Sequence, residues 1–269
     1  MDPLDREQVE QGLNAATRDV LTHLDVFDTI DSTNTYLAGV PAPPPGRLRV
    51  AVADEQTAGR GRQGREWVSP RGRGLYQSLA YTIEKQRHDL SSLTLALGVG
   101  VLDALSALGI TGVSLKWPND LVADNAKLGG LLAETQNAGN TLVVIAGIGI
   151  NVSMDEGARA LARSGWAQRG ISLADITDQP IDRNALASAV TNAVAAVFRG
   201  FEETGLAAYV ERWRAADWLL GQGIKVESPA AVHAGVAAGV DDTGALLLET
   251  DAGVIPVTAG TVSLLGSAT

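Results

Sequence analysis

Residues 54–76, DEQTAGRGRQGREWVSPRGRGLY, constrain the fold more than any other stretch of this chain. Glycines at 59, 61 and 64 admit left-handed backbone and let a ligand approach the main chain closely. Before the stretch stands RLRVAVADEQ (47–56) and after it GLYQSLAYTI (74–83), both with the β-branched and aromatic content of strands. The chain therefore passes from strand to strand through a long glycine-rich loop with no helix between. A Rossmann fingerprint, whose glycines open a helix, is excluded on that ground. A P-loop is excluded because no Lys-Ser/Thr follows the glycines.

Charge gives the loop a purpose. Between Gly59 and Arg73, five arginines (Arg60, Arg62, Arg65, Arg71, Arg73) face one acid, Glu66, while the whole chain has 21 Lys+Arg against 31 Asp+Glu. Planar, permanently charged guanidinium forks suit phosphate or carboxylate oxygens, so an anionic ligand is expected there. The net charge of −10 argues against non-specific binding to nucleic acid or anionic membrane as the main role. A Gly/Arg strip that binds RNA, or nothing, is the plainer alternative.

The remainder reads as one large domain and one small one, a size that 269 residues allow. Residues 1–23 suggest a short, mostly polar helix, LDVFDTI (24–30) a strand, and DSTNTYLAGV a helix capped by Asp31 or Ser32. PAPPPG (41–46) is a connecting loop. LSSLTLALGVGVLDALSALG (90–109) has helical spacing, with Leu93, Leu97, Val101, Leu105 and Leu108 on one stripe. VSLKW, LVAD, KLGGLLAETQ and TLVVIAGIGINVS follow as strands of an antiparallel or mixed sheet. From Asp182 to Trp218 the pattern is helical, and after Gly221 brief strands suggest a small barrel. No signal peptide opens the chain, and Asp103 interrupts the most apolar run. The absence of cysteine excludes disulfides, thiolate zinc and a Cys nucleophile, and fits a reducing cytoplasm, where the protein is expected.

Several short motifs are candidates for a site. In KWPND (116–120), Lys116 ends a strand and Asn119 and Asp120 sit at a turn, which they also simply close. Lys127, with Gly129 and Gly130 behind it, either reaches a bound anion or is solvated. DSTN (31–34) offers hydroxyls and an amide at a helix start, compatible with capping. Asn151 follows a nearly all-apolar strand, and Trp67 either stacks on a base or anchors the loop. His23, His88 and His233 are scattered without ligand spacing, and the single DTG (242–244) reads as a hairpin turn, not a protease triplet.

Taken in order, STN, DEQTAGRGRQGR-W, SPRGRGLYQSL, KWPND, KLGGLLAE and GIGINV closely resemble the biotin protein ligases over about 28–152, and GVDDTGALLL resembles that family's small C-terminal domain. The resemblance implies an α+β fold: a mixed sheet with helices packed on one face, class II synthetase-like, over residues 1–220, and an SH3-like barrel over 221–269. It implies two steps. Biotin and MgATP give biotinyl-5′-AMP and pyrophosphate, and a lysine of a biotin carboxyl carrier protein then takes the biotinyl group. ATP and Mg²⁺ are thus the co-substrate and ion, with no tightly bound prosthetic group. By the same resemblance Ser32, Thr33, Asn34, Gln56, Gly59, Gly61, Gly130 and Leu132 belong to the biotin site. Arg60, Arg62 and Lys127 serve the carboxylate and reacting phosphate, and Lys127 leads the catalytic electrostatics. Trp67, Asn119 and Asn151 fall near adenine and ribose; Lys116 and Asp120 fall near the phosphates, with Asp120 the candidate Mg²⁺ ligand. About 25 residues precede the first strand, too few for a winged DNA-binding domain, so neither specific DNA binding nor a membrane is expected. A lipoate-type ligase is the nearest rival, and a nucleic-acid-binding module the more distant one.

Overall fold

A computed structural model describes residues 2–84, 87, 89–138, 141–161, 170–228 and 231–266; His88 lies outside the described residues. Two short helices, α1 (Arg6–Gly12) and α2 (Ala15–Val20), stand where the sequence suggested one. Asn14 separates them, because its side chain accepts from Thr17 N at 2.8 Å and caps α2. Strand β1 (Leu21–Phe27) leads to α3 (Thr33–Gly39), capped by Ser32. Strands β2 (Leu48–Ala53) and β3 (Gly74–Ile83) flank the arginine loop, as the sequence requires. Next come helix α4 (Leu93–Ala107) and strands β4 (Ser114–Lys116), β5 (Asp120–Ala123), β6 (Ala126–Ala138) and β7 (Thr141–Asn151). Helices α5 (Glu156–Leu161), α6 (Leu173–Ile176), α7 (Arg183–Thr204) and α8 (Val210–Ala215) complete the large domain. The helical region expected over 182–218 is broken where Gly205, at φ 63°, ends α7.

Seven strands form one mixed sheet in the order β1-β2-β3-β7-β6-β5-β4, with β1 parallel to β2 and the other pairings antiparallel. Alternation along each strand sorts its residues onto two faces. Val50, Val52, Leu79, Tyr81, Val144, Ala146 and Ile148 point to the layer of α1, α4 and α7. Ala51, Ala80, Val143 and Ile145 point the other way, where α3 brings Leu37 and Tyr36. The main helix layer is thus on one face as expected, and α3 covers only part of the second face. That partial cover leaves room for a site.

Helix α4 buries more than one stripe. Leu95, Ala96, Val99 and Ala104 are buried along with Leu93, Leu97, Val101 and Leu105, since α7, α8 and β6 surround it. Over 90–107 the helix is long and apolar enough to cross a membrane, at mean hydropathy 1.6, but 61% of that span is buried inside the fold. It is a core helix.

The C-terminal strands β8 (Gly223–Glu227), β9 (Val232–Val240), β10 (Leu246–Thr250), β11 (Gly253–Val257) and β12 (Thr261–Leu264) make a five-stranded antiparallel sheet, ordered β11-β10-β9-β8-β12. This is the small SH3-like domain. The DTG segment is a turn between β9 and β10, where Asp241 Oδ1 accepts from Thr243 N and Ala245 N. Trp117, buried at the start of the PND turn, donates from Nε1 to Gly244 O at 3.1 Å and so joins the two domains.

Candidate functional site

Register assembles the site. On the face that α3 leaves partly open, Tyr76, Gly149 and Gly130 are direct cross-strand partners, and Asp120 pairs with Gly130 and Lys116 with Asp120. One row across five strands therefore runs Tyr76, Gly149, Gly130, Asp120, Lys116. The next row holds Ser78, Gly147 and Leu132, and the one beyond it Ala80, Ile145 and Glu134. Cross-strand partners project to the same side, so these rows are the floor of a cavity.

The floor is low because of two glycines. A Cβ on Gly149 would lie 2.6 Å from the Trp67 ring, and one on Gly147 would collide with Asn34 Oδ1. Trp67 from the arginine loop and Asn34 from α3 therefore descend to the backbone of β7. The resulting cavity, about 50 Å³ in this arrangement, is lined by Ser32, Thr33, Asn34, Gln56, Arg60, Trp67, Asn119, Lys127, Gly130 and Leu132. Ten residues singled out in the sequence thus converge.

Its polar end is a hydrogen-bonded network. Thr33 donates from N (2.9 Å) and Oγ1 (3.1 Å) to Gln56 Oε1, and Gln56 Nε2 donates to Ser69 Oγ at 3.0 Å. Ser78 Oγ donates to Asn34 Oδ1 at 2.5 Å, and Asn34 Nδ2 donates to Glu134 Oε2 at 3.0 Å. Glu134 also holds Arg60 Nη2 at 2.8 Å. Trp67 Nε1 is buried without a partner among the described residues, a donor that a ligand oxygen would satisfy.

The charged end lies beside it. Lys127 Nζ is 2.7 Å from Asp120 Oδ1 and 5.4 Å from the centre of the Trp67 ring. Lys116 Nζ is 3.9 Å from Asp120 Oδ2 and almost fully buried. Burial pushes the Lys116 ammonium down to about 8; Asp120 opposes this, and Lys127, Arg62 and Arg65 reinforce it. Burial likewise lowers Arg62, which donates from Nη1 to Asn119 Oδ1 at 3.2 Å. A second cavity of about 70 Å³ is lined by Arg62, Arg65, Lys116 and Lys127 with Asp120 as its acid, and closed by Gly260–Val262 of the small domain. A third, about 620 Å³, opens between Asn119–Leu132 and Thr243–Ala245 and shares Arg62 with the second. Four cations thus stand against one carboxylate where three cavities meet, an arrangement that attracts anions and lowers their mutual repulsion.

Three predicted residues do not line these cavities. Gly59 and Gly61 shape the loop; at Gly59 a Cβ would collide with Trp67 O. Asn151 donates from Nδ2 to Lys127 O at 3.3 Å and to Ile171 O at 3.0 Å, tying down the start of β6. Sequence reasoning missed Tyr76, Ser78, Glu134, Gly147 and Gly149. The alternating glycines of GIGIN were a usable signal, since glycine within a strand marks close approach. The contact of Gln63 Oε1 with Thr261 Oγ1 (3.1 Å), which ties the loop to the small domain, had none.

Fold and site together fit a class of protein that receives anionic ligands in a cation-lined cavity beside a polar one. The model of the biotin/lipoate A/B protein ligase family matches residues 26–151, and that of the biotin protein ligase C-terminal domain matches 219–265. The chain is 35% identical over 266 residues to the bifunctional ligase/repressor BirA of Escherichia coli, covering 94% of this chain and 78% of that protein. It is 31% identical to the biotin–[acetyl-CoA-carboxylase] ligase of Paracoccus denitrificans, covering 84% and 95%. Among solved structures, the Aquifex aeolicus biotin protein ligase in complex with biotin and ATP superposes with a TM-score of 0.75 at 30% identity, over 90% of this chain and 98% of that one. The chain belongs to the biotin protein ligase family.

Proposed function

We infer that this protein is an ATP-dependent biotin ligase that forms biotinyl-5′-AMP and passes the biotinyl group to a lysine of a biotin carboxyl carrier protein. The observation that carries the reading is the meeting of a polar cavity with a cluster of four cations around Asp120. Thr33, Asn34 and Gln56 suit the ureido end of biotin, and Lys127, which lines the same cavity, suits its carboxylate.

The first step brings the biotin carboxylate against the α-phosphate of ATP. Lys127, Arg60 and Arg62 offset the charge that builds up as carboxylate oxygen attacks phosphorus and pyrophosphate departs. No covalent enzyme nucleophile takes part, so positioning and electrostatics supply the acceleration. The loop over the cavity keeps water from the anhydride until an acceptor amine arrives. Release of AMP completes the transfer.

Mg²⁺ fits this site only as a companion of the nucleotide. Asp120 is one carboxylate already paired with Lys127, and among the described residues no group of three or more His, Cys, Asp or Glu side chains surrounds a metal position. Mg²⁺ commonly binds through one or two carboxylates, substrate phosphates and water, so Asp120 is the residue that would hold it, and the ion would neutralise phosphate charge. The cytoplasm is the compartment this reading implies. The test is ATP–pyrophosphate exchange with biotin or lipoate as the acid. Exchange with biotin alone supports the reading; exchange only with lipoate moves the chain to the other branch, and none with either refutes both.

A further inference from the structure

The arginine loop leaves the sheet at Asp54 and returns at Gly74, and one residue far away in sequence grips both ends. Arg183, the first residue of α7, is buried and places Nη2 2.6 Å from Asp54 Oδ1. Its Nε donates to Gly74 O at 3.1 Å, and its Nη1 donates to Asp2 O at 3.2 Å. Asp54 in turn accepts from Leu4 N at 3.3 Å, and its backbone carbonyl accepts from Gly72 N at 2.9 Å. Asp54 N donates to Phe27 O at 2.9 Å, which adds the end of β1 to the same knot.

The knot also governs the polar cavity. Just beyond it Ile30 N donates to Glu55 O, Thr57 N to Ile30 O, and Ala58 N to Asp31 O. The loop bearing Gln56, Arg60 and Trp67 and the segment bearing Ser32, Thr33 and Asn34 thus hang from one neck. Stability alone is a poor reason to build it this way. A buried ion pair is often no more stable than apolar residues of the same volume, and a cation at a helix N-terminus faces the positive end of the dipole. What the residue provides is geometry: a guanidinium that donates from Nε to Gly74 O and from Nη1 to Asp2 O, and sets its charge against Asp54, ties where the loop starts to where it ends.

We propose that Arg183, paired with Asp54 and strapped by residues 2–4, is a positioning residue that sets the arginine loop over the biotin cavity and so controls how tightly biotin and its adenylate are held. This rests on the ligase reading above, and the wild-type protein serves as the control that separates the two. If the wild type shows no biotin-dependent pyrophosphate exchange, the ligase reading fails first.

The experiment compares wild type, Arg183→Gln and Arg183→Lys in biotin KM, adenylation kcat, and the fraction of labelled biotinyl-AMP that escapes to solution, with thermal unfolding alongside. Arg183→Gln is expected to raise biotin KM and adenylate escape by about tenfold and to lower kcat at saturating biotin by a smaller factor, because Arg60 and Arg62 move with the loop. Arg183→Lys keeps the charge opposite Asp54 but not the fork, and is expected to fall between. A lower Tm with KM and escape unchanged in both variants overturns the proposal and leaves a purely structural pair. Should Arg183→Gln not fold, Arg183→Lys carries the same readouts and the same two outcomes.

Discussion

Replacing Lys127 by methionine keeps the aliphatic stem and removes one charge at the point where the two substrates should meet. The ammonium lies 2.7 Å from Asp120 Oδ1 and is largely sheltered, with 18% of the side chain exposed. At an effective dielectric of about 20, a unit charge about 4 Å from an anionic oxygen contributes roughly 4 kcal/mol. Arg62 and Lys116 line the same cavity and recover part of that. The net loss is about 3 kcal/mol, or roughly a hundredfold in the adenylation rate. Removing Lys127 also takes away the 2.7 Å partner of Asp120 and leaves that carboxylate facing the incoming anions, which acts in the same direction. The assay is biotin-dependent pyrophosphate release under single-turnover conditions, with circular dichroism to check the fold. Release within about threefold of wild type in a folded Lys127→Met protein would refute the electrostatic argument.

Three other outcomes follow from the geometry. Arg62→Gly loses the 3.2 Å bond to Asn119 and one side of the cavity, so adenylation should slow by less than in Lys127→Met while biotinyl-AMP leaks and labels bystander lysines; equal loss of both half-reactions contradicts this. Lys116 titrates near 8 rather than 10.5 because it is buried, so adenylation should decline as pH rises through about 8, and Lys116→Arg should push that limb upward; coincident profiles contradict it. Asp217, between α8 and β8, has its Oδ2 buried without a partner among the described residues, and burial raises the group to about 6 from 3.8. The folded state therefore holds more protons than the unfolded one between those values, and stability falls as pH rises through that window. Asp217→Asn should stabilise the protein by about 1 kcal/mol at pH 7, seen as a higher Tm, with the gain fading near pH 4; equal gains at both pH values contradict the cause.

Much of this is legible in the sequence. The arginine loop had to join two strands because its glycines and flanking β-branched runs permitted little else, and β2 and β3 stand where those runs predicted. Residues that line the cavity are legible where they fall in contiguous motifs, as Thr33, Gln56 and Lys127 do. Register is not. That Gly149 faces Tyr76 on one side and Gly130 on the other depends on strand order β3-β7-β6, which local sequence does not encode. Glu134 was invisible for the same reason: it lies near the middle of a long strand as an ordinary acid, and only tertiary pairing with Arg60 and Asn34 gives it a place. Asn151 looked like a pocket residue because it ends an apolar strand, yet its amide serves the backbone at Lys127 and Ile171. The helical pattern over 182–218 holds through α7 and α8, but the break at Gly205 is not legible because apolar spacing continues past it.

The most direct test of the central claim is a crystal structure of this protein with biotin and a non-hydrolysable ATP analogue. Nitrogen atoms of Arg60, Arg62 and Lys127 should lie within hydrogen-bonding distance of the biotin carboxylate or the α-phosphate, with the ureido ring among Thr33, Asn34 and Gln56. Clear density for both ligands with residues 59–65 and Lys127 touching neither would contradict the account.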